Sequence, residues 1–269
     1  MKRSSSPIDA PRAASSLRLT PLVRATILAG LTMAALPSAR AADVTIDFNG
    51  LPPIGLTHAD AIVSQGFNIG AYSPDPDAQA GDAVGAIIDG TDSVASCGFL
   101  QCPASNSSYA SFVNDGYLEL TSTTPGATFG VKSFDASFLG SNAYDYPALP
   151  GFLRVQGFYA DNSTVWEDYR FYPPGSEGFE FNSYEASSLF STAKFTSLYF
   201  FAFVCDANQD CSAFDTGLGQ FAIDNITTTS GVAAPVPEPS TWLMMGAGLL
   251  GVVGAARRRK QVQASTPAV

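Results

Sequence analysis

The sequence predicts an all-β fold: a single β-sandwich, with a processing or membrane-directed segment at each end. Short runs rich in β-branched and aromatic residues are separated by Gly, Pro, Asn, Asp and Ser, and several runs alternate with period two. No window of about 11 residues in the body, residues 42–234, shows the periodicity of an amphipathic helix. A body of this length is sufficient for one domain with a sizeable core.

Several runs in the body are predicted strands. In chain order they are Val44–Phe48, Tyr117–Ser122, Ala127–Ser133, Phe152–Ala160, Thr164–Phe171, Phe179–Phe181, Thr196–Val204 and Phe221–Thr228. The nearly continuous apolar run Leu198–Val204 predicts a central strand covered on both sides. Asp161–Ser163 predicts a hairpin turn. The Gly- and Pro-containing stretch Gly70–Ser108 predicts a long excursion from the sandwich.

The N-terminal segment, residues 1–41, has the pattern of a secretory signal peptide. Basic residues precede an apolar stretch, Ala25–Leu36, and Ala39-Arg40-Ala41 offers small residues to a signal peptidase. We expect cleavage after Ala41, so the signal peptide is excluded from the fold.

Without its ends the chain is strongly acidic. Residues 42–234 contain four Lys and Arg and 22 Asp and Glu, which gives a formal net charge of −18 against −10 for the whole chain. Such a surface disfavours nucleic acid and anionic headgroups and favours solubility. Divalent cations are natural partners for it, although a soluble extracellular surface explains the charge equally well.

The four cysteines form two close pairs in sequence, which in an exported protein predicts disulfides. Three connectivities are possible. The local one, Cys97 with Cys102 and Cys205 with Cys211, is favoured because each pair encloses turn-prone residues. A zinc site is the weaker alternative, because the spacings do not fit and His58 is the one histidine.

The C-terminal segment, residues 235–269, consists of a proline-bounded motif, an apolar stretch and a basic cluster. The prolines make the motif an extended segment that an enzyme can bind, the apolar stretch Trp242–Ala256 enters a bilayer, and the cations hold its far end at the cytoplasmic side. At 15 residues the stretch is short for a spanning helix, and four glycines weaken it further.

A permanent membrane anchor is the alternative interpretation of this segment. The motif is Pro237, Glu238, Pro239, and the membrane stop is Arg257, Arg258, Arg259, Lys260.

This three-part arrangement resembles the PEP-CTERM sorting signal of Gram-negative bacteria. The resemblance implies transient insertion in the inner membrane, processing by an exosortase near the motif, and delivery to the cell surface or the extracellular space. It is specific because all three parts occur together, but it says where the protein goes and little about what it does.

The body also resembles PEP-CTERM exported domains, in particular a group with a Gln-Phe-x-x-Asp pattern, matched here by Gln220, Phe221 and Asp224. Thr45–Phe48 and Val131–Ala136 look like the same proteins. The resemblance implies a jelly-roll sandwich similar to galactose-binding-like modules. In such folds a structural calcium often lies between the first and last strands, which implies Asp47 and Asp224 as ligands. The alternative is that Asp224 and its neighbour cap a bulge.

Two further candidate sites lie in polar, aromatic stretches. Trp166 and Tyr169 flank two acids and predict a carbohydrate-binding patch, because such rings stack on sugars and hydrogen-bond at their edges. The alternative is that half of the aromatic residues face the core. Asp206–Asp210 starts like an EF-hand loop, but Cys211 and Gly217 break the pattern, so a disulfide-closed polar loop is the better interpretation.

Catalysis has little support in the sequence. His58 lies in a loop-like stretch, pairs of acids are too common here to indicate a glycosidase, and phosphate-loop and nucleophile-elbow motifs are missing. We therefore expect a non-enzymatic surface or matrix protein. Its association with exopolysaccharide is implied by the resemblance to the family. The alternatives are a surface polysaccharide hydrolase and a purely structural or adhesive envelope protein.

Overall fold

Two antiparallel sheets face each other in the computed structural model, which describes residues 43–98, 100–141 and 144–229. The all-β sandwich prediction is confirmed. The strands are β1 (Val44–Ile46), β2 (Ile54–Thr57), β3 (Asp60–Ser64), β4 (Phe67–Tyr72), β5 (Ala83–Asp89), β6 (Ser108–Phe112), β7 (Tyr117–Ser122), β8 (Gly130–Phe138), β9 (Gly151–Phe158), β10 (Thr164–Arg170), β11 (Asn182–Glu185), β12 (Ser197–Cys205), β13 (Cys211–Ser212) and β14 (Phe221–Thr229).

Two strands from the C-terminal part of the domain, β14 and β12, lie at the centres of the two sheets. The first sheet has the order β11-β8-β14-β6-β5-β2, with β1 also paired to β14. The second sheet has the order β10-β9-β12-β7-β4-β3, with β13 also paired to β12. The helical segments of the described residues are short: a 3₁₀ turn (Gly90–Asp92), α1 (Ser93–Ser96) and α2 (Ser188–Ser191).

The core is formed by the inward faces of the two sheets. On β12, Leu198, Phe200 and Ala202 are buried, and Phe200 lies 5.7 Å from the ring of Phe134 on β8 of the facing sheet. Phe112 and Phe221 occupy opposite positions on β6 and β14, with stacked rings 5.0 Å apart. Such large side chains supply most of the hydrophobic stabilisation, because each removes a wide apolar area from water.

Two of the sequence-based predictions of secondary structure are wrong. The stretch Gly70–Ser108 is not one excursion, because β5 (Ala83–Asp89) pairs with both β2 and β6 inside the first sheet. Alternation in β5 is masked by Gly85, which lies so close to β6 that a Cβ there would be 2.2 Å from the Ser111 carbonyl oxygen. The strand predicted at Phe179–Phe181 is also absent from the structure. The nearest strand, β11, begins at Asn182, and Phe179 packs into the core from an irregular segment.

The hairpin predicted at Asp161–Ser163 is confirmed between β9 and β10. Asn162 has φ of +64°, and the Asp161 carboxylate accepts hydrogen bonds from the Ser163 N–H and hydroxyl at 3.0 and 2.6 Å. Asparagine tolerates this left-handed backbone better than most residues, because its side chain can hydrogen-bond locally.

A buried carboxylate fixes the segment that enters β14. Asp115 is 5% exposed, and its two oxygens accept hydrogen bonds from the N–H groups of Gly217 and Gly219 at 2.8 and 2.7 Å. Asp115 itself lies in the turn between β6 and β7, where the chain crosses from the first sheet to the second. Asp115 therefore links the turn between the two sheets to the segment that leads into β14.

The middle of β14 contains a second buried carboxylate. Asp224 is opposite Asp135 of β8, and the register shifts immediately afterwards at Asn225, which has φ of +52°. The Asp224 oxygens accept hydrogen bonds at 2.8 Å each from the Ser107 hydroxyl and the Asn225 N–H. Burial raises the pKa of Asp224 above its ordinary 3.8, the hydrogen bonds partly oppose this, and the charges of Asp135 and Asp47 add to it.

We predict that Asp115→Ala lowers the free energy of unfolding by about 2–3 kcal/mol, because the buried N–H of Gly219 and the half-buried N–H of Gly217 both lose their acceptor. Denaturant unfolding of the purified exported protein measures this. Asp215→Ala, which removes an exposed acid in the same segment, is the matched control and is expected to change the free energy by less than about 0.5 kcal/mol. Equal effects of the two substitutions would contradict the role assigned to Asp115.

We predict that Asp224→Asn gains stability relative to wild type as the pH rises above about 4. An acid with a raised pKa binds its proton more tightly in the folded state, so its contribution is fully present below the unfolded value of 3.8 and is lost through the higher folded pKa. Unfolding free energies between pH 3 and pH 8, measured in chelator, test this.

Asp161→Asn is the control, because the pKa of Asp161 is shifted in the opposite direction to that of Asp224. Hydrogen bonds from Ser163 lower the pKa of Asp161. Wild type is therefore expected to lose its advantage over Asp161→Asn as the pH falls below about 4. A flat difference between wild type and Asp224→Asn across the whole range would show that folding leaves the pKa of the Asp224 carboxyl unchanged, and would contradict the effect assigned to its burial.

Candidate functional site

The outward face of the second sheet carries a contiguous set of aromatic side chains. Register places Glu119, Tyr199, Gln156 and Trp166 side by side on β7, β12, β9 and β10. Since side chains alternate along each strand, residues two positions away share the same face. We call this surface the aromatic face; its rings belong to Tyr72, Tyr117, Phe152, Phe158, Trp166, Tyr199, Phe201, Phe203 and Phe214.

Three tyrosines from adjacent strands stack across the aromatic face. The rings of Tyr72 and Tyr117 are 5.5 Å apart with 25° between their planes, and those of Tyr117 and Tyr199 are 5.4 Å apart with 26°. Tyr72 can lie against the sheet because Gly70 has no side chain: a Cβ there would be 2.5 Å from the Tyr72 ring. The sequence thus builds a row of nearly parallel, half-buried rings.

The carboxylate of Glu119 lies among these tyrosines. Burial raises the pKa of Tyr72, Tyr117 and Tyr199, and the negative charge of Glu119 raises it further, to about 12 for Tyr199. The proximity of the Glu119 carboxylate to the Tyr72 and Tyr199 hydroxyls adds to the rise of both pKa values. At neutral pH the three phenols are therefore neutral hydrogen-bond donors beside a fixed acceptor.

Arg154 of β9 organises the other half of the aromatic face. Its guanidinium forms a two-pronged ion pair with Asp168, with both N···O distances 2.7 Å. It also lies 4.6 Å from the ring centroid of Phe203 and 5.4 Å from that of Trp166. A partly exposed pair of this kind adds little stability. Its planar geometry instead holds the neighbouring rings in position and presents N–H groups between them.

Phe214 closes one end of the aromatic face from outside the sheet. Its ring is 4.9 Å from Phe201 and 6.3 Å from Tyr117. The segment that carries it follows the Cys205–Cys211 disulfide and precedes the glycines held by Asp115. The position of Phe214 is therefore set by a covalent link on one side and by a buried carboxylate on the other.

The aromatic face offers flat apolar ring surfaces together with hydrogen-bonding groups at their edges. Tyrosine hydroxyls and the Arg154 guanidinium donate, the carboxylates of Glu119 and Asp168 accept, and the Gln156 amide can do both. This combination is suited to a ligand whose own surface alternates apolar faces with hydroxyl edges.

The structure does not bring together the two residues predicted as a carbohydrate patch. Trp166 lies on the aromatic face and is 56% exposed. Tyr169 lies on the opposite side of β10, because it is three positions away on a strand. There it packs edge-on against Phe134 at 4.9 Å and donates a hydrogen bond to Glu167. Trp166 and Tyr169 therefore cannot contact one ligand on the same surface.

Sequence reasoning missed the aromatic face because it interpreted Leu198–Val204 as a strand covered on both sides. One side of β12 does face the core. On its other side Tyr199, Phe201 and Phe203 form the middle of the aromatic face. An aromatic residue at every second position of an apolar run, with Phe152 and Phe158 in similar alternation on β9, was the available signal.

The two predicted calcium ligands lie on neighbouring strands: Asp224 is in the middle of β14, and Asp47 comes just after the end of β1. β1 pairs with β14 from Val44 to Ile46, and Asp47 follows directly. The oxygens of Asp224 already accept protein hydrogen bonds. Within the described part of the chain, no group of three or more His, Cys, Asp or Glu is arranged to hold a metal ion. Calcium at Asp47 and Asp224 stays a prediction, and the alternative, a bulge at Asp224 and Asn225, is present.

Both local disulfides are formed, Cys97–Cys102 and Cys205–Cys211. The second closes the hairpin in which Asp206 accepts hydrogen bonds from the N–H groups of Asn208 and Asp210 at 2.8 and 2.9 Å. This is the disulfide-closed polar loop that the sequence predicts in place of an EF-hand.

The signal peptide, the sorting motif (Pro237, Glu238, Pro239) and the membrane stop (Arg257, Arg258, Arg259, Lys260) lie outside the described residues. Among residues 43–98, 100–141 and 144–229, the structure has no helix long and apolar enough to cross a membrane.

Known proteins give two findings. A family 29 carbohydrate-binding module is similar at 11% identity over 75% of this chain and 97% of that chain, with a TM-score of 0.35. Variants of such a module complexed with mannohexaose and with cellulohexaose give TM-scores of 0.34 at 10% and 9% identity, over 72% of this chain and 94% and 93% of theirs. No curated protein matches the sequence.

The C-terminal segment gives the second finding. Residues 235–260 match the family model of the PEP-CTERM protein-sorting motif. The matched range includes the proline-bounded motif, the apolar stretch and the basic cluster. The chain therefore carries a PEP-CTERM sorting motif and is an exosortase substrate, exported across the inner membrane and located at the surface after processing.

Proposed function

We propose that the exported sandwich is a non-enzymatic surface or matrix protein that binds neutral polysaccharide on its aromatic face. The observation that carries the proposal is the contiguous row of exposed and half-buried rings across β4, β7, β12, β9 and β10, with hydrogen-bonding groups between them. Exopolysaccharide at the cell surface is the ligand class to which the exported protein has access.

Sugar rings complement this surface for a physical reason. A pyranose has apolar C–H faces that pack on aromatic rings, and hydroxyls around its edge that need partners when they are desolvated. Tyr199 and Trp166 supply ring surfaces, while Gln156, between them in register, can both donate and accept. The spread of rings over several strands suits a chain of sugars better than a single one.

Charge favours a neutral polymer over an acidic one. The body has a formal net charge near −18, and Glu119 lies within the aromatic face. The positive charge of Arg154 is compensated by Asp168 at 2.7 Å. A polymer of uronic acids or sulfated sugars would meet repulsion from this surface, most strongly at low ionic strength.

A binding role is favoured over hydrolysis by the positions of the acids. Glu119 lies among the hydroxyls of the stacked tyrosines, and Asp168 is held by Arg154. Both carboxylates therefore act as fixed acceptors that orient neighbouring groups. Release of reducing sugar from a polysaccharide by the purified protein would contradict this assignment and favour a surface hydrolase.

We predict that Trp166→Ala and Tyr199→Ala each weaken binding to a neutral polysaccharide about tenfold, since one ring stacked on a sugar contributes roughly 1–1.5 kcal/mol. Retardation in native gels that contain glucan or mannan measures the affinity, and an acidic polymer such as alginate gives the comparison. Tyr169→Phe, on the opposite side of β10, is the matched control and is expected to bind as wild type does.

The outcomes separate the alternatives. If wild type binds no neutral polysaccharide, the aromatic face has another role and the structural or adhesive alternative gains support. If wild type binds but Trp166→Ala and Tyr199→Ala bind equally well, the ligand lies elsewhere on the sandwich. Stronger binding to alginate than to the neutral polymers would contradict the argument from charge.

We predict that replacing Pro237, Glu238 and Pro239 with alanines leaves the chain in the membrane fraction with an intact Val269 terminus. Wild type is expected at the surface or in the medium, with a new terminus near Pro239, because the motif is the segment that the processing enzyme binds. Intact mass of each fraction measures this, with Thr241→Ala as control. An intact wild-type terminus in the membrane fraction would favour a permanent anchor.

A further inference from the structure

At one end of the sandwich the two sheets leave a cavity of about 430 Å³. Phe138, the last residue of β8, lines it from the first sheet, and Val204 of β12 lines it from the second. Tyr144, Tyr146 and Leu218 are among the other residues of its apolar wall. A volume of this size lies within the range of roughly 300–1,000 Å³ that small-molecule sites occupy.

The wall of the cavity is held rigidly on the side of Tyr146. The Tyr146 hydroxyl accepts a hydrogen bond from the Ser141 N–H at 2.6 Å and donates one to the Ser141 carbonyl. Its ring packs against Phe138 and Phe179 at 5.8 and 5.2 Å. The part of the wall formed by Phe138 and Tyr146 is therefore preformed.

Gln220 contributes a polar group that has no protein partner. Gln220 is one of the residues that line the cavity and is 8% exposed, and its Oε1 accepts no hydrogen bond within the described chain. Its Nε2 donates to the Gly217 carbonyl at 3.3 Å, which is a long hydrogen bond. A buried acceptor without a donor destabilises the protein. A small rotation of this loosely held amide would let a ligand in the cavity supply the donor.

The charged residues that line the cavity are Asp145 and Asp206 among those described. Asp206 already accepts hydrogen bonds from its own loop, whereas Asp145 lies exposed at the surface. Both are negative, so they disfavour a carboxylate or phosphate ligand and tolerate a neutral or cationic one.

We propose that this cavity is a second ligand site, separate from the aromatic face, for a small molecule with an apolar body and an O–H or N–H donor. The apolar body replaces water against Phe138, Val204 and Leu218, and the donor pairs with Gln220 Oε1. The site does not depend on the proposed glycan binding, because it rests on the gap between the sheets and on a different set of residues.

Ligand-observed saturation-transfer NMR of the purified exported protein tests the proposal with three probes of equal body size. We expect 2-phenylethanol and 2-phenylethylamine to bind saturably and phenylacetate to bind at least tenfold more weakly. Absence of saturable binding by both donor probes, or equal binding of phenylacetate, would overturn the proposal.

Two variants connect the binding to the cavity. Gln220→Leu removes the acceptor while keeping an apolar wall, so we expect about tenfold weaker binding of 2-phenylethanol with no fall in melting temperature. Trp166→Ala, on the aromatic face, is the control and is expected to leave probe binding unchanged. Unchanged probe affinity in Gln220→Leu would overturn the assignment of Gln220, and lost affinity in Trp166→Ala would place the probe on the aromatic face.

Discussion

The structure depends on the antiparallel pairing of β12 with β7 and β9. This pairing gives every residue of β12 a fixed side. Leu198, Phe200 and Ala202 enter the core. Tyr199, Phe201 and Phe203 lie on the aromatic face, where Phe201 is buried beside Phe214. A register shift of one residue would exchange the two sets and remove Phe200 from its contact with Phe134. Because only one register buries the core residues, the same interaction that stabilises the sandwich also places the aromatic face.

The fold class follows from the sequence because alternation and turn residues are local signals. β7 agrees with its predicted bounds, and β14 differs from its prediction by one residue, since Phe221–Thr228 combines an apolar start with β-branched residues. The failures have particular causes. The sequence does not predict β5, because Gly85, which the close approach of β6 requires, interrupts the alternation of apolar and polar residues. The aromatic face is missed for a different reason: a hydrophobic run such as Leu198–Val204 does not reveal which of its residues lie on the outer side of the sheet.

The candidate site could be predicted only in part. Trp166 was identified by residue type, and it does lie on the aromatic face. Proximity in sequence suggests Tyr169 as its partner, but side chains three positions apart on a strand point to opposite faces of the sheet. The actual neighbours of Trp166 are Gln156 and Arg154, which come from the adjacent strand. Their proximity arises from pairing across β9 and β10, and a single sequence does not display it.

The segment between Cys211 and β14 belongs to two surfaces at once. Phe214 closes the aromatic face, whereas Leu218 and Gln220, a few residues later, form part of the cavity wall. Asp115 holds the chain between them through Gly217 and Gly219. Any displacement of this segment by a ligand on one surface would be transmitted to the other. By thermodynamic linkage, each ligand would then change the affinity of the other by the same factor.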